Sequence, residues 1–121
     1  MFQAGALSIA QPDFTHCAGL MEAKKLSALA DTYYVCMAPH NSSGPAATPA
    51  SGQVDATLSN LFMQEYIETR ILEDLFVDYP VIENGAMLLD DGRPGLGLIP
   101  DWEKMEALTA TGPVDWGSGD W

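Results

Sequence analysis

The sequence predicts an α/β fold built from parallel strand–helix units. Three short apolar runs carry this prediction, and each run ends at an ionisable residue. The runs are residues 6–12, 33–39 and 61–64, followed by Asp13, His40 and Glu65. Short, nearly continuous apolar runs are typical of strands that are covered on both faces, as in parallel sheets. A helical pattern between the first two runs completes one βαβ unit.

The helical pattern lies over residues 20–30. Leu20, Ala23, Leu26 and Ala30 recur at helical spacing, while charged side chains occupy the opposite side. Gly19 precedes the pattern and gives the backbone the freedom to turn into it. We therefore expect a helix of about three turns here.

The second connection, residues 41–60, is less regular. Pro45 is suited to the first position of a helix. Pro49, Ser51 and Gly52 then weaken the helical pattern, so the sequence predicts only a short or irregular helix.

The remaining elements are expected to be short. A further helix is predicted over residues 69–77, followed by a loop-rich passage from Tyr79. A final short helix is predicted over residues 101–110, with Asp101 as its cap. Residues 1–110 would then form the structured part, and residues 111–121 a mobile tail.

Composition excludes several classes of protein. The 121 residues suit one domain, and 47% apolar residues with a mean hydropathy of +0.01 suffice for a core. Five basic and 17 acidic residues give a net charge of −12, which argues against a nucleic-acid or anionic membrane partner. No run approaches the roughly 18 apolar residues of a membrane span, and no signal peptide is evident. The sequence predicts a cytoplasmic protein.

The three ionisable residues are regularly spaced. His40 follows Asp13 by 27 residues and precedes Glu65 by 25, close to one strand-plus-helix repeat. Each would then occupy the carboxyl end of a successive parallel strand, where catalytic groups gather in barrels. We therefore expect these three side chains to lie close together at the carboxyl ends of the strands.

Their chemistry is coherent. An Asp bonded to one imidazole nitrogen fixes the histidine tautomer and favours its charged form. The other nitrogen can then take or deliver a proton. Glu65, if protonated, could donate a hydrogen bond to a substrate oxygen that gains charge. Together these groups suit removal of a proton next to a carboxylate, which also needs a cation, and the sequence shows no ligand cluster for one.

Five short motifs follow in the order seen near the C-terminus of the enolase superfamily, over residues 6–106. They are Gln11-Pro12-Asp13, Ala18-Gly19, Ala38-Pro39-His40, Gln64-Glu65 and Pro94-Gly95-Leu96-Gly97. The chain resembles the mandelate racemase/muconate lactonizing enzyme branch, and most closely the sugar-acid dehydratases of the galactonate type. Ala18 departs from the glycine usual at its position.

The resemblance implies that the chain is the C-terminal part, about strands six to eight with their helices, of a modified TIM (β/α)8 barrel. It implies that His40 is the general base or acid, that Asp13 forms a dyad with it, and that Glu65 stabilises an enediolate. His16 and Pro39 are expected to contact substrate. The metal implied is Mg2+, with its ligands on strands three to five, N-terminal to this fragment.

The function implied is that of a sugar-acid dehydratase, a hydro-lyase that abstracts the proton alpha to a carboxylate and eliminates water. The partner implied is a small-molecule sugar acid, and the full-length parent is expected to be a homo-oligomer. Because the metal ligands would lie elsewhere, we expect the isolated chain to be inactive. Racemases, epimerases and cycloisomerases use the same intermediate and stay as alternatives, as does a non-catalytic truncated remnant.

Overall fold

The computed structural model of the protein describes residues 1–67, 73–89 and 92–109. Its first unit is β1 (Ile9–Ala10), α1 (Leu20–Thr32) and β2 (Cys36–Met37), with the two strands parallel. The amide N–H of Cys36 donates to the Ser8 carbonyl (3.0 Å), and that of Ala38 to the Ala10 carbonyl (2.9 Å). The predicted βαβ unit is confirmed.

The two strands are shorter than the apolar runs that predicted them. Tyr34 has a φ of 57° and lies in the turn that follows α1, so the run from residue 33 cannot begin as a strand. The amide N–H of Val35 still bonds back to the Ala30 carbonyl at 3.0 Å. The first residues of the apolar run 33–39 therefore form the turn that ends α1, and β2 begins only at Cys36.

The third apolar run lies beside β2. Leu61 forms a parallel bridge with Met37. The amide N–H of Met37 donates to the Asn60 carbonyl (2.9 Å), and that of Phe62 donates to the Met37 carbonyl (2.8 Å). The three predicted runs are thus neighbours in one parallel arrangement, although the third forms a single bridge rather than a full strand.

Helix α1 packs through its small residues. Ala23, Ser27 and Ala30 are buried, whereas Leu20 is 39% exposed and stands at the edge of the predicted apolar stripe. The Ser27 hydroxyl donates to the Ala23 carbonyl at 2.7 Å, which satisfies it inside the core. The buried core cluster also contains Phe14, Val35, Met37 and Val54.

The second connection contains the short helix that the sequence predicts, but Pro45 does not occupy its first position. Helix α2 (Ala47–Asp55) runs for nine residues, with Ala46 at its N-cap and Pro45 outside it. Pro49 is tolerated because it lies in the first turn, where backbone N–H groups have no partner within the helix. Gly52 faces Met87, and a Cβ atom there would lie 2.8 Å from the Met87 sulfur.

The later elements are short and antiparallel. Strand β3 (Phe76–Asp78) pairs with β6 (Ile99–Pro100), and β4 (Ile82–Glu83) pairs with β5 (Ala86–Met87). The helix predicted over residues 69–77 is therefore wrong at its end, because Phe76 and Val77 belong to strand β3, which pairs with β6. Residues 68–72 lie outside the described residues.

Helix α3 (Trp102–Thr109) confirms the last predicted helix. The amide N–H of Lys104 donates to Asp101 Oδ1 at 3.2 Å, so Asp101 caps it as predicted. The predicted tail, residues 111–121, lies outside the described residues. Among the helices that are described, none has the length and apolarity that a membrane crossing requires.

Candidate active site

The structure brings Asp13, His40 and Glu65 together. Asp13 and His40 form a parallel bridge directly beyond β1 and β2, with the His40 amide donating to the Pro12 carbonyl at 3.1 Å. The Glu65 amide donates to the Pro39 carbonyl at 3.2 Å. Backbone hydrogen bonds thus place the three side chains at the same ends of neighbouring parallel segments.

His40 and Asp13 are in direct contact. His40 Nδ1 lies 2.9 Å from Asp13 Oδ2, whose side chain is 11% exposed, while the imidazole is 41% exposed. An ionised carboxylate only accepts hydrogen bonds, so the Nδ1 proton belongs to His40. This leaves Nε2 with its lone pair available as a proton acceptor.

Several donors hold the Asp13 carboxylate in place. The Thr15 amide donates to Oδ1 at 2.8 Å and the Thr15 hydroxyl at 2.5 Å, and the Ser43 hydroxyl donates to Oδ2 at 3.1 Å. Burial acts to raise the pKa of Asp13, but the hydrogen bonds with Thr15, His40 and His16 outweigh it and hold the pKa well below its usual range. Asp13 is therefore ionised wherever the protein is folded at ordinary pH.

Glu65 lies on the other side of the imidazole. Its Oε2 atom is 3.7 Å from His40 Nε2, beyond hydrogen-bond distance, and accepts the Asn41 amide N–H at 2.9 Å. Asn41 is buried, and its side-chain amide donates to Thr48 Oγ1 of α2 at 2.8 Å. Helix α2 thereby fixes the loop that positions Glu65. That Glu65 works in its protonated form stays a prediction.

The two predicted substrate contacts lie in different surroundings. His16 is 76% exposed, with Nδ1 at 3.0 Å from Asp13 Oδ2, so both histidines face the same carboxylate oxygen. The Pro39 side chain is fully buried, and its carbonyl accepts hydrogen bonds from the backbone of Glu65 and the side chain of Gln64. Pro39 joins neighbouring segments, and substrate contact by either residue stays a prediction.

Sequence reasoning missed four polar residues that complete the site: Thr15, Asn41, Ser43 and Thr48. For Thr15 a signal existed, because an Asp two residues before it commonly accepts the following backbone amide in a turn. Ser43 lies 30 residues from Asp13 in the sequence and had no such local signal.

The described residues do not themselves fit the implied Mg2+. Among them, no group of three or more His, Cys, Asp or Glu side chains is arranged to hold a metal ion. The two cysteines, Cys17 and Cys36, are free thiols.

The family model for enolase C-terminal domain-like proteins matches residues 1–104. The chain belongs to this family. The resemblance seen in the motifs is thereby confirmed, and so is the α/β fold class, the C-terminal part of an enolase-superfamily barrel.

Individual relatives agree with this family. A D-gluconate/D-galactonate dehydratase of Picrophilus torridus is 41% identical over 111 residues. The match covers 89% of this chain and 28% of the relative. A D-xylonate dehydratase of Haloferax volcanii is 37% identical over 114 residues, covering 93% and 27%. The crystal structure of an enolase from Agrobacterium radiobacter, bound to Na and L-malate, matches at a TM-score of 0.78 and 29% identity, covering 88% and 31%. The chain thus spans less than a third of each of these proteins.

Proposed function

We propose that this chain carries the acid–base groups of a sugar-acid dehydratase of the enolase superfamily. One observation carries the proposal: His40 is fixed through Nδ1 on an ionised Asp13, while its Nε2 faces Glu65. Relatives named as D-gluconate/D-galactonate and D-xylonate dehydratases support the substrate class.

The proposed reaction begins at His40. Its Nε2 takes the proton from the carbon next to the substrate carboxylate, and the electron pair moves onto that carboxylate as an enediolate. Asp13 stabilises the imidazolium that forms, because its negative charge is held against Nδ1. The His40 imidazolium returns that proton to the β-hydroxyl, which leaves as water while the enediolate electron pair forms the double bond between the α and β carbons; the resulting enol tautomerises to a 2-keto-3-deoxy acid.

Glu65 is placed to act on the developing charge. Its Oε2 atom lies 3.7 Å from His40 Nε2 without bonding to it, so a substrate seated against both groups would present its alpha carbon to Nε2 and its carboxylate to Glu65. In its acid form Glu65 would donate a hydrogen bond to the enediolate oxygen, where a preorganised donor stabilises the transition state.

The remaining parts of the proposal concern the whole protein. In the family-implied arrangement, Mg2+ would further stabilise the enediolate and would be held by residues other than those described. The 121-residue chain on its own is therefore expected to be inactive. We also propose that the full-length parent is a cytoplasmic homo-oligomer.

A chimera tests the proposed function. This chain would replace the matched segment of the Picrophilus torridus dehydratase, and formation of 2-keto-3-deoxy acid from D-gluconate and D-galactonate would be measured. We expect turnover in the chimera and a loss on the order of 10²–10⁴-fold in His40→Asn, since general acid–base catalysis contributes about that much.

Cys17→Ser is the matched control, because it alters a neighbouring loop side chain without touching the dyad and should leave turnover within several-fold. Full turnover in the His40→Asn chimera would contradict the proposal. Exchange of the alpha proton with solvent deuterium, without water loss, would indicate the racemase or epimerase alternative.

A further inference from the structure

A second concave site lies away from the dyad. A cavity of about 430 Å³ is enclosed by α2, residues 61–66 and the β4–β5 hairpin. Its lining does not include Asp13, His40 or Glu65. The volume falls in the range of roughly 300–1,000 Å³ that is usual for binding pockets.

Three buried acceptor atoms of two side chains in this cavity have no hydrogen-bond partner. Asp55 is 6% exposed, and neither of its carboxylate oxygens has a hydrogen-bond partner. The same holds for Gln64 Oε1, whereas Gln64 Nε2 donates to the carbonyls of Pro39 (3.1 Å) and Glu65 (2.8 Å). Buried polar atoms are nearly always hydrogen-bonded, and a buried carboxylate without a partner is costly. These three acceptor atoms therefore call for a group that only donates.

The basic side chains of the described residues are occupied elsewhere. Lys24 donates to Thr57 and Lys25 to Glu22, while Arg93 pairs with Asp78 and Lys104 with Asp101. Arg70 lies outside the described residues. Asp55 is the acidic side chain among the described residues that line the cavity, and the basic side chains above do not reach it, so a cation from elsewhere could pair with it.

The cavity lies beside an unpaired backbone edge. Residues 61–64 make their backbone hydrogen bonds towards β2, and the structure describes no segment paired with their other edge. Leu61, Phe62 and Met63 are 38%, 57% and 55% exposed along this stretch. An open edge with exposed apolar side chains is a template for another extended segment.

We propose that this cavity receives an arginine side chain from a polypeptide segment that lies along the open edge of residues 61–64. A guanidinium has five N–H donors and no acceptor, and it binds a carboxylate through two parallel hydrogen bonds. It can bond both Asp55 oxygens and Gln64 Oε1, while its aliphatic stem lies against the apolar walls. We assign this segment to the part of a full-length protein that corresponds to the more than two thirds of the Picrophilus torridus relative outside the match. This inference is independent of the proposed function.

The test uses the full chain and two capped tripeptides, Ac-Val-Arg-Val-NH2 and its neutral citrulline analogue. Binding to the protein and to each variant would be measured at pH 8 by isothermal titration calorimetry, and in the unmodified protein the carbon-13 shift of the Asp55 carboxyl group would report the contact. We expect saturable binding of the arginine peptide and at least tenfold weaker binding of the citrulline peptide. Asp55→Asn should abolish that preference.

Asp74→Asn is the matched control, because it removes the same charge from an exposed position and should keep the preference. Equal binding of the two peptides, or a preference that survives in Asp55→Asn, would overturn the proposal. So would n-butylguanidinium binding as tightly as the arginine peptide, since the backbone edge would then contribute nothing.

Discussion

The first 67 residues and the described residues that follow them are held together differently. The first region joins three parallel segments by backbone hydrogen bonds and carries Asp13, His40 and Glu65 at their ends. The second region consists of antiparallel two- and three-residue strands and one helix. Charge follows the same division, with a net −3 over residues 1–67 and −9 over residues 68–121.

This difference separates the residues of the candidate active site from the residues that pack on helix α2. Parallel pairing brings groups more than 20 residues apart to one edge, which a local hairpin cannot do. The β4–β5 hairpin instead packs on α2 through Met87. We infer that the first region determines the reaction and that the second stabilises the helix behind it.

Replacing an aspartate in each region tests that division most strongly. Asp13→Asn in the chimera should lower kcat/KM on the order of 10²–10⁴-fold, because the imidazolium loses its counter-charge. Asp101→Asn, at the cap of α3, should leave kcat/KM within several-fold. Similar losses in steady-state assays of both variants would show that the two regions share the chemistry.

The buried carboxyl group of Asp55 lies at the boundary of the two regions, and it predicts that the stability of the fold depends on pH. Burial raises its pKa to about 7, so the folded chain keeps a proton that the unfolded chain loses near pH 4. Stability should therefore fall as pH rises from about 4 to about 7, by an amount on the order of 3 kcal/mol.

Urea unfolding across this pH range measures the Asp55 effect. Asp55→Asn should flatten the profile, whereas Asp74→Asn should retain the wild-type slope. An unchanged profile in Asp55→Asn would mean that the carboxyl group finds a partner in solution.

Gly52 provides a test of the contact between the regions. Gly52→Val should destabilise the fold by about 1–3 kcal/mol, because the added side chain would meet the Met87 sulfur. Ala56→Val, at the exposed end of α2, is the control and should cost less. If thermal unfolding shows equal losses, the hairpin does not pack on α2 as described.

The smallest expected effect concerns backbone strain. Ala18 has a φ of 68°, a conformation that glycine adopts without strain. Ala18→Gly should therefore stabilise the protein by about 1 kcal/mol. Asn84, with a φ of 52° in the β4–β5 turn, is the counterpart in the second region, and Asn84→Gly should gain less because asparagine tolerates this conformation. Thermal midpoints compare the two.

The predictable parts of the molecule are those with long periodic or regularly spaced signals. Helix α1 followed from the helical spacing of its apolar residues, and the contact between Asp13 and His40 followed from the number of residues between them. The hairpin did not, although Asn84-Gly85 between short apolar stretches is a strong hairpin signal. Helix α2 was predicted as short or irregular because Pro49 and Gly52 look like helix breakers. The structure has a short helix, with Pro49 in its first turn and Gly52 against Met87, where both residues fit.

The polar support of the site was less predictable. Asn41 bonds to Thr48 seven residues later and to Glu65 across the fold, and neither partner shares a local pattern with it. Phe76 and Val77 form a strand because β6 lies beside them, which is a tertiary effect that overrides local helical preference.

The parallel register also determines where the chain tolerates a change in length. Side chains along an extended segment alternate between two faces, so one added residue between Met37 and His40 would turn the imidazole towards the helices. An extra residue in the exposed segment Ser42–Ser43, after His40, would leave the Asp13–His40 register intact and would move only the Ser43 hydroxyl away from Asp13.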